Sequence, residues 1–332
     1  MPCRTAIIGP CPAATESAAR SAEKPSADEH PDVMEATQAS VHEQDKLGID
    51  ILDEGGLHRR HPVFDTLRHL RGVEVPDVRA LERDEGDEEK EVPLARLRRP
   101  IAPGHRYLRH DWRAAQEATH RPVQLALPGP LTLAGFIEDE VYGDERALCA
   151  ALGDALNHEI RDLAAAGCPW IRIDEPRFLT APEWAVAFGV DNLARCFHRV
   201  PKGVTRFVHL PRAAPAALDE PDSQGSEDTG YAAIAEALAD APIDAVALAD
   251  ARRANDLSLL EAFTATTVVL GVLDVAASNL ETVDAIRDRL RAALDHIDPH
   301  RLMAGPDAAL DLLPATLARD KLKTMVAAAR AV

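Results

Sequence analysis

Basic charge is scarce in this sequence. The 37 Lys and Arg residues face 55 Asp and Glu, a formal net charge of −18 at pH 7. Tracking a phosphate backbone or an anionic bilayer needs a concentrated basic face, so neither nucleic acid nor membrane is expected as a partner. Lysine is scarcer still: Lys24, Lys46, Lys90, Lys202, Lys321 and Lys323 are the only six, a bias that reads as genome composition or mild salt adaptation. The five cysteines, Cys3, Cys11, Cys149, Cys168 and Cys196, are odd in number and lack CxxC spacing. That excludes a disulfide framework and a zinc ribbon and points to a reducing compartment. No apolar run approaches the roughly 18 residues of a spanning helix, and Met1 to Ala6 carries no signal core. A cytoplasmic protein is expected.

What the chain does have is 46% hydrophobic residues over 332 positions. Short apolar or β-branched runs alternate with longer amphipathic stretches, the pattern of repeated βα units. Eight strands are predicted: Thr5–Gly9, Asp50–Leu52, Val123–Leu127, Trp170–Ile173, Thr205–His209, Ile243–Leu248, Thr267–Val272 and Arg301–Gly305. The clearest helices are Glu145–Ala166, Tyr231–Ala239, Leu280–His296 and Pro314–Ala329. The expected fold is α/β, a single (β/α)8 TIM barrel over residues 1–332 with functional residues on the loops after the strands. Leu57–Arg121 is too long for one βα connection and reads as an elaborated insertion after strand two, with a solvated charge run at Arg83–Glu91. Ala213–Gly230, rich in Pro, Gly and Ser, reads as a flexible loop placed to act as a lid.

Taken in order, the strand-end segments carry a specific combination: Ala6-Ile7-Ile8-Gly9, Gln44 to Leu52, Arg98-Arg99-Pro100-Ile101, Pro128-Gly129-Pro130-Leu131-Thr132, Ile171-Arg172-Ile173-Asp174-Glu175-Pro176, Val208-His209 and Gly305-Pro306-Asp307. The set resembles the C-terminal catalytic barrel of cobalamin-independent methionine synthase, over nearly the whole chain and without that family's N-terminal duplicate barrel. The resemblance implies methyl transfer from methyltetrahydrofolate to the sulfur of homocysteine, which a zinc ion holds as thiolate. It also implies zinc ligands at a His-x-Cys pair after strand five, a Glu after strand six and a Cys after strand eight.

This chain departs at those positions. It reads His209-Leu210-Pro211, then Ala249 beside Asp250, then Ala308 after Asp307, so one of the four ligands survives. A tetrahedral site needs at least three protein ligands, so no zinc and no other cofactor is expected, except through a site rebuilt from His209, Asp250, Asp307 and Cys11. Gly9-Pro10-Cys11-Pro12 stands where the family has a carboxylate-binding serine, and Gly56 where a glutamate would hold the substrate ammonium.

The candidate catalytic residues are Asp174, His209 and Glu175, because acid–base work needs a carboxylate within reach of an imidazole. Cys11, Glu54, Arg59, Arg60, Asp250 and Asp307 are the candidate substrate-binding residues, the two arginines as anion binders. Asp250 and Asp307 read equally as helix N-caps. The partner expected is a small molecule. The expected function is that of a divergent, zinc-independent methionine synthase-like enzyme acting on a small anionic or sulfur-containing metabolite, by one-carbon transfer or by a lyase-type acid–base reaction. A catalytically silent binding or regulatory barrel, and a homocysteine methyltransferase with a rebuilt metal site, are the alternatives.

Overall fold

The computed structural model describes residues 2–11, 30–76, 94–212, 217–220 and 230–332. The charge run at 83–91 and most of the proposed lid at 213–230 lie outside the described residues.

Eight parallel strands form one curled sheet. They are β1 (Arg4–Thr5), β2 (Leu52–Asp53), β5 (Val123–Pro128), β7 (Trp170–Asp174), β8 (Thr205–Leu210), β9 (Ala245–Leu248), β10 (Thr267–Leu273) and β11 (Leu302–Pro306), in the spatial order β1-β11-β10-β9-β8-β7-β5-β2. The two ends meet through a parallel bridge between Ala6 and Ile51, where Ile7 donates its N–H to the Ile51 carbonyl at 3.1 Å and Ile51 donates to Thr5 at 3.0 Å. The sheet is thus a TIM-like barrel. Buried on both faces, its strands need no alternation, and β5 is buried along its whole length. The first strand is shorter than the predicted Thr5–Gly9, because the chain leaves the sheet through Gly9 at φ +78°.

Ala6, Ile8, Ile51, Trp170, Phe207, Ala245, Ala247, Val269 and Met303 pack as one cluster. Trp170 meets Phe207 edge-on, 5.8 Å between centroids and 85° between planes. A larger apolar cluster lies between the strands and the surrounding helices. Burial of a large apolar side chain contributes about 1.5–3 kcal/mol. The longest helix spans Glu145–Ala166, as its sequence pattern predicts, and buries Leu148, Leu152, Leu156, Ile160 and Leu163. It starts where the Asp144 carboxylate accepts the N–H groups of Arg146 and Ala147, and it ends at Gly167, left-handed at φ +104°.

The Leu57–Arg121 connection contains helices Pro62–Arg68 and Leu108–Glu117 and two strands, β3 (Leu70–Glu74) and β4 (Ala95–Pro103). These pair antiparallel, and β6 (Ile137–Asp139) joins β4 in parallel, making a second sheet of three strands. Arg98 to Ile101 therefore belong to β4, outside the barrel. The described part of the 213–230 loop is tied down: Asp219 donates its N–H to the Ala276 carbonyl at 2.8 Å and accepts from Ser278 N–H at 2.7 Å. No described helix is long and apolar enough to cross a membrane.

Candidate active site

The polar groups at the barrel mouth are organised by an arginine. Arg172 sits between Ile171 and Ile173 on β7, and the two-residue period of a strand puts it on the same face as Asp174. Its side chain is 4% exposed. Nη1 bonds Asp53 Oδ2 at the end of β2, and Nε bonds Asp174 Oδ1 at 2.7 Å. Asp53 also accepts the N–H groups of Gly9 at 3.1 Å and Gly55 at 2.7 Å, which ties the loops after β1 and β2 to the same carboxylate. Paired β7 and β8 set Asp174 directly opposite His209. Asp174 Oδ1 lies 3.1 Å from His209 Nδ1.

Burial alone would raise the Asp174 carboxyl, but the Arg172 guanidinium and the His209 hydrogen bond overcome it and hold the group well below the ordinary carboxylate range. Asp174 is therefore a fixed anion and accepts only. The ring Nδ1 must then carry a hydrogen, and in the neutral ring it is Nε2 that holds the lone pair. That Nε2 is buried and has no hydrogen-bond partner among the described residues.

A cavity of about 490 Å³ opens beside this chain of groups, lined among others by Asp53, Arg59, Arg60, Arg172, Asp174 and Pro211. His209 is buried behind this wall, although its hydrogen-bond partner Asp174 and Pro211, two residues further on, both line the cavity. A smaller cavity of about 300 Å³ lies between the second sheet and helix Glu145–Ala166, with His69, Tyr107 and Glu159 in its wall.

Glu54, the residue that follows β2, is fully buried in a second ionic cluster. Oε2 meets Arg59 Nη2 at 3.0 Å, Oε1 meets His58 Nδ1 at 3.0 Å, and His58 Nε2 meets Asp111 at 2.9 Å. Burial opposes the charge on Glu54, yet His58 and Arg59 together bring its carboxyl down to about 2. Burial likewise opposes charge on His58, and Glu54 and Asp111 raise the imidazole to about 9. His58 is accordingly a cation at neutral pH. Arg59 Nη1 also donates to the Ala126 carbonyl, so the guanidinium is clamped between β2 and β5.

Other residues singled out from the sequence are held elsewhere. Glu175 turns away from the mouth: one oxygen accepts Leu131 N–H at 2.9 Å, and the other accepts Thr132 N–H at 2.9 Å and Oγ1–H at 2.6 Å. It braces the loop after β5, and burial raises its carboxyl to about 7. Asp250 takes a two-pronged contact from Arg289 at 2.6 and 2.7 Å and accepts from Asn255. Asp307 accepts the N–H groups of Asp250, Ala251 and Arg252, and burial raises it to about 6. Both aspartates are loop anchors. Cys11 is 1% exposed and packed in the larger apolar cluster, and its N–H is bonded by Ser40 Oγ at 2.9 Å. Of the predicted set, Asp174, Arg59 and Arg60 face the cavity, with His209 and Glu54 behind them.

The sequence reading passed over Arg172 and Asp111. A guanidinium between two isoleucines of a buried strand was the available signal for the first. Nothing local marks Asp111, which a helix 57 positions beyond Glu54 brings to His58.

The positions that the resemblance assigns to zinc hold His209, Pro211, Ala249 and Ala308. Around them the Ala249 N–H is donated to the Tyr231 hydroxyl at 3.0 Å, while Asp250 and Asp307 are committed as described. No group of three or more His, Cys, Asp or Glu among the described residues is arranged to hold a metal ion. The donors present do not fit the family's zinc.

The comparisons with known proteins agree with this architecture. The family model described as cobalamin-independent synthase, catalytic domain, matches residues 3–186 and 228–331. Methionine synthase of Pyrococcus abyssi is 25% identical over 302 residues, covering 90% of this chain and 82% of that protein. The 5-methyltetrahydropteroyltriglutamate–homocysteine methyltransferase of a Chelativorans species is 27% identical, and 89% of this chain spans 37% of that longer protein. Among solved structures, a B12-independent methionine synthase from a Shewanella species, determined with selenomethionine, superposes with a TM-score of 0.81 at 25% identity, covering 92% of this chain and 89% of that one. The chain belongs to the cobalamin-independent synthase family, matching its catalytic domain.

Proposed function

We propose that the protein transfers a methyl or other one-carbon group to a small anionic or sulfur-containing metabolite without zinc. His209 takes the acceptor's proton and Asp174 balances the charge that results. The observation that supports this reading most directly is the chain Arg172–Asp174–His209, whose first two members line the cavity and whose last, behind them, ends in an imidazole nitrogen without a partner among the described residues. A thiol is a poor nucleophile until its proton leaves. Where zinc would lower the sulfur's pKa in relatives, a positioned base can remove that proton during the transfer. The acceptor's S–H bond breaks and the proton passes to Nε2. The new S–C bond forms as the donor's bond to the same carbon breaks, and the proton then returns to the donor atom left behind. A lyase-type acid–base reaction would use the same groups. The rebuilt-metal alternative has less support, since Asp250 and Asp307 are engaged by Arg289 and by backbone amides.

The test is a methyl-transfer assay on untagged protein stripped with a chelator, supplied with 5-methyltetrahydropteroyltriglutamate and homocysteine or other small thiols, with methylated product read by mass spectrometry. Zinc-independent product formation that disappears in His209→Ala is the expected result. Product formed only after zinc is added overturns the metal-free mechanism, and donor binding without turnover of any acceptor points to a silent barrel.

A further inference from the structure

Most hydrogen-bond donors around the mouth of the 490 Å³ cavity are already spent. Five of its wall residues, Pro10, Pro62, Pro128, Pro176 and Pro211, have no N–H to offer. The amides of Gly9 and Gly55 go to Asp53 at 3.1 and 2.7 Å, that of Gly56 to Glu54 at 3.1 Å and that of Thr132 to Glu175 at 2.9 Å. The Arg172 guanidinium is divided between Asp53 and Asp174. That of Arg59 is held by Glu54 and the Ala126 carbonyl, and its Nε edge is packed against Gly56, where a Cβ would stand 3.1 Å away. Arg60 is not free either. An anionic group entering the mouth would find few hydrogen bonds to replace those it makes with water.

One charged group of the wall is in the opposite position. Asp311 lines the cavity and is open to solvent, and its carboxylate has neither a hydrogen bond nor an ion pair among the described residues. Its place is nevertheless fixed. Leu313 donates its N–H to the Leu310 carbonyl at 3.0 Å, closing a turn that carries Asp311 between two leucines buried in the larger apolar cluster. Ala309, just before the turn, packs on the loop after β1: a Cβ on Gly9 would meet its side chain at 2.8 Å. Desolvation, and after it the charge of Asp53, push the Asp311 carboxyl up, and no cation draws it down. Because no described group of three or more His, Cys, Asp or Glu is arranged for a metal ion, the positive charge that complements Asp311 is an organic one.

We propose that the cavity takes a small amine, whose ammonium group is held by Asp311 and brings the hydrogen-bond donors that the wall lacks. An ammonium carries three donors and no acceptor, the converse of this wall. The formal net charge of −18 draws such cations toward the protein. This rests on the reading of the cavity as the substrate site, and it narrows the sulfur-containing metabolites to those that bear an amino group. No carboxylate on the guest is needed for binding.

Isothermal titration calorimetry on the intact chain tests it with three probes that share one thioether frame and differ in the head group: 2-(methylthio)ethylamine, 2-(methylthio)ethanol and 3-(methylthio)propionate. None has an S–H bond, so binding is read apart from the proton transfer assigned to His209. The informative variant is Asp311→Asn, which keeps the shape, removes the charge and breaks no described contact, so its circular dichroism stays native. The expected result is saturable binding of the amine, tighter than that of the alcohol or the carboxylate. In Asp311→Asn it should weaken about fivefold, the size of a solvent-accessible ion pair. Equal binding of the amine by parent and variant, no binding of the amine, or tighter binding of the carboxylate overturns the proposal. The methyl-transfer assay separates it from the catalytic reading. Amine-selective binding that is lost in Asp311→Asn, in a protein that turns over no thiol, leaves Asp311 its role and removes the transfer. Turnover of cysteamine and of 2-mercaptoethanol with the same kcat/KM leaves the transfer and removes the role of Asp311.

Discussion

Arg172 and Asp174 stand two residues apart on one strand, and the arginine's Nε meets the aspartate's Oδ1 at 2.7 Å while its Nη1 reaches past β5 to Asp53 on β2. One buried cation thus fixes two carboxylates on β2 and β7 and, through Asp174, the tautomer of His209 on β8. A buried charge is tolerated only when it is paired and hydrogen-bonded, and each member of this chain satisfies the others. Removing the cation should therefore cost more than removing one surface ion pair. Arg172→Gln leaves two neighbouring carboxylates without a counter-charge, and the loss expected is about 3–5 kcal/mol. Arg172→Lys, a point charge that cannot fork to both carboxylates, should lose about 1.5–3 kcal/mol. The shift of the urea unfolding midpoint measures both, and a parent-like midpoint in Arg172→Gln would contradict the assignment.

The loop glycines at the mouth carry a separate expectation. Gly55 has φ +94°, and a Cβ there would lie 2.8 Å from the Pro10 side chain, so Gly55→Ala meets both backbone strain and a clash. A cost of about 1–3 kcal/mol is expected, with the loop displaced from Asp53. The urea unfolding midpoint of the variant checks it. Unchanged stability would mean that the loops after β1 and β2 do not pack as described.

Much of this was readable in the sequence, for a physical reason. Barrel strands buried on both faces are continuous apolar runs, so Val123–Pro128 and Thr267–Leu273 announce themselves, and a long amphipathic helix with Asp144 before it and Gly167 after it carries its own boundaries. The strand β4 was illegible because Arg96, Arg98, Arg99 and Pro100 are exposed, giving it the composition of a loop. The mouth was legible as a set of acidic residues but not in its division of labour. What ties Asp250 down is Arg289, 39 positions later, and what holds Glu175 is the loop after β5, so local sequence could not say which carboxylates were already engaged.

Acidity should stabilise the protein across the mildly acidic range. Burial raises Glu175 to about 7 and Asp307 to about 6, so the folded chain holds these protons more tightly than the unfolded one. Their contribution is fully present below the ordinary carboxylate range and is lost as pH rises through those values. His58, raised to about 9, adds stability that is complete below an ordinary imidazole value and lost as pH rises through 9. Glu54, lowered to about 2, gives up its contribution only as pH falls toward that value. Between pH 5 and 9 these groups therefore act in one direction, and the melting temperature should decline as pH rises. Glu175→Gln should flatten the part of that decline nearest pH 7. A melting temperature that climbs from pH 5 to 9 would show that other groups dominate.

The catalytic expectation depends on separating charge from shape. Asp174→Asn keeps the outline of the side chain but removes the anion that Arg172 and His209 share, and its amide can present a hydrogen to Nδ1 instead of accepting one. That would favour the tautomer with hydrogen on Nε2, the wrong state for a base. Loss of a positioned proton-transfer group costs typically about 10²–10⁴ in rate, and a similar loss is expected for His209→Ala and for Asp174→Asn. Because the pair acts as a unit, the double variant should be little slower than either single one. The pH profile gives the independent reading: the limb that reports the imidazole in the parent should shift in Asp174→Asn and vanish in His209→Ala. Two single variants that retain parental rates, or losses that multiply in the double variant, would place the proton transfer elsewhere in the cavity.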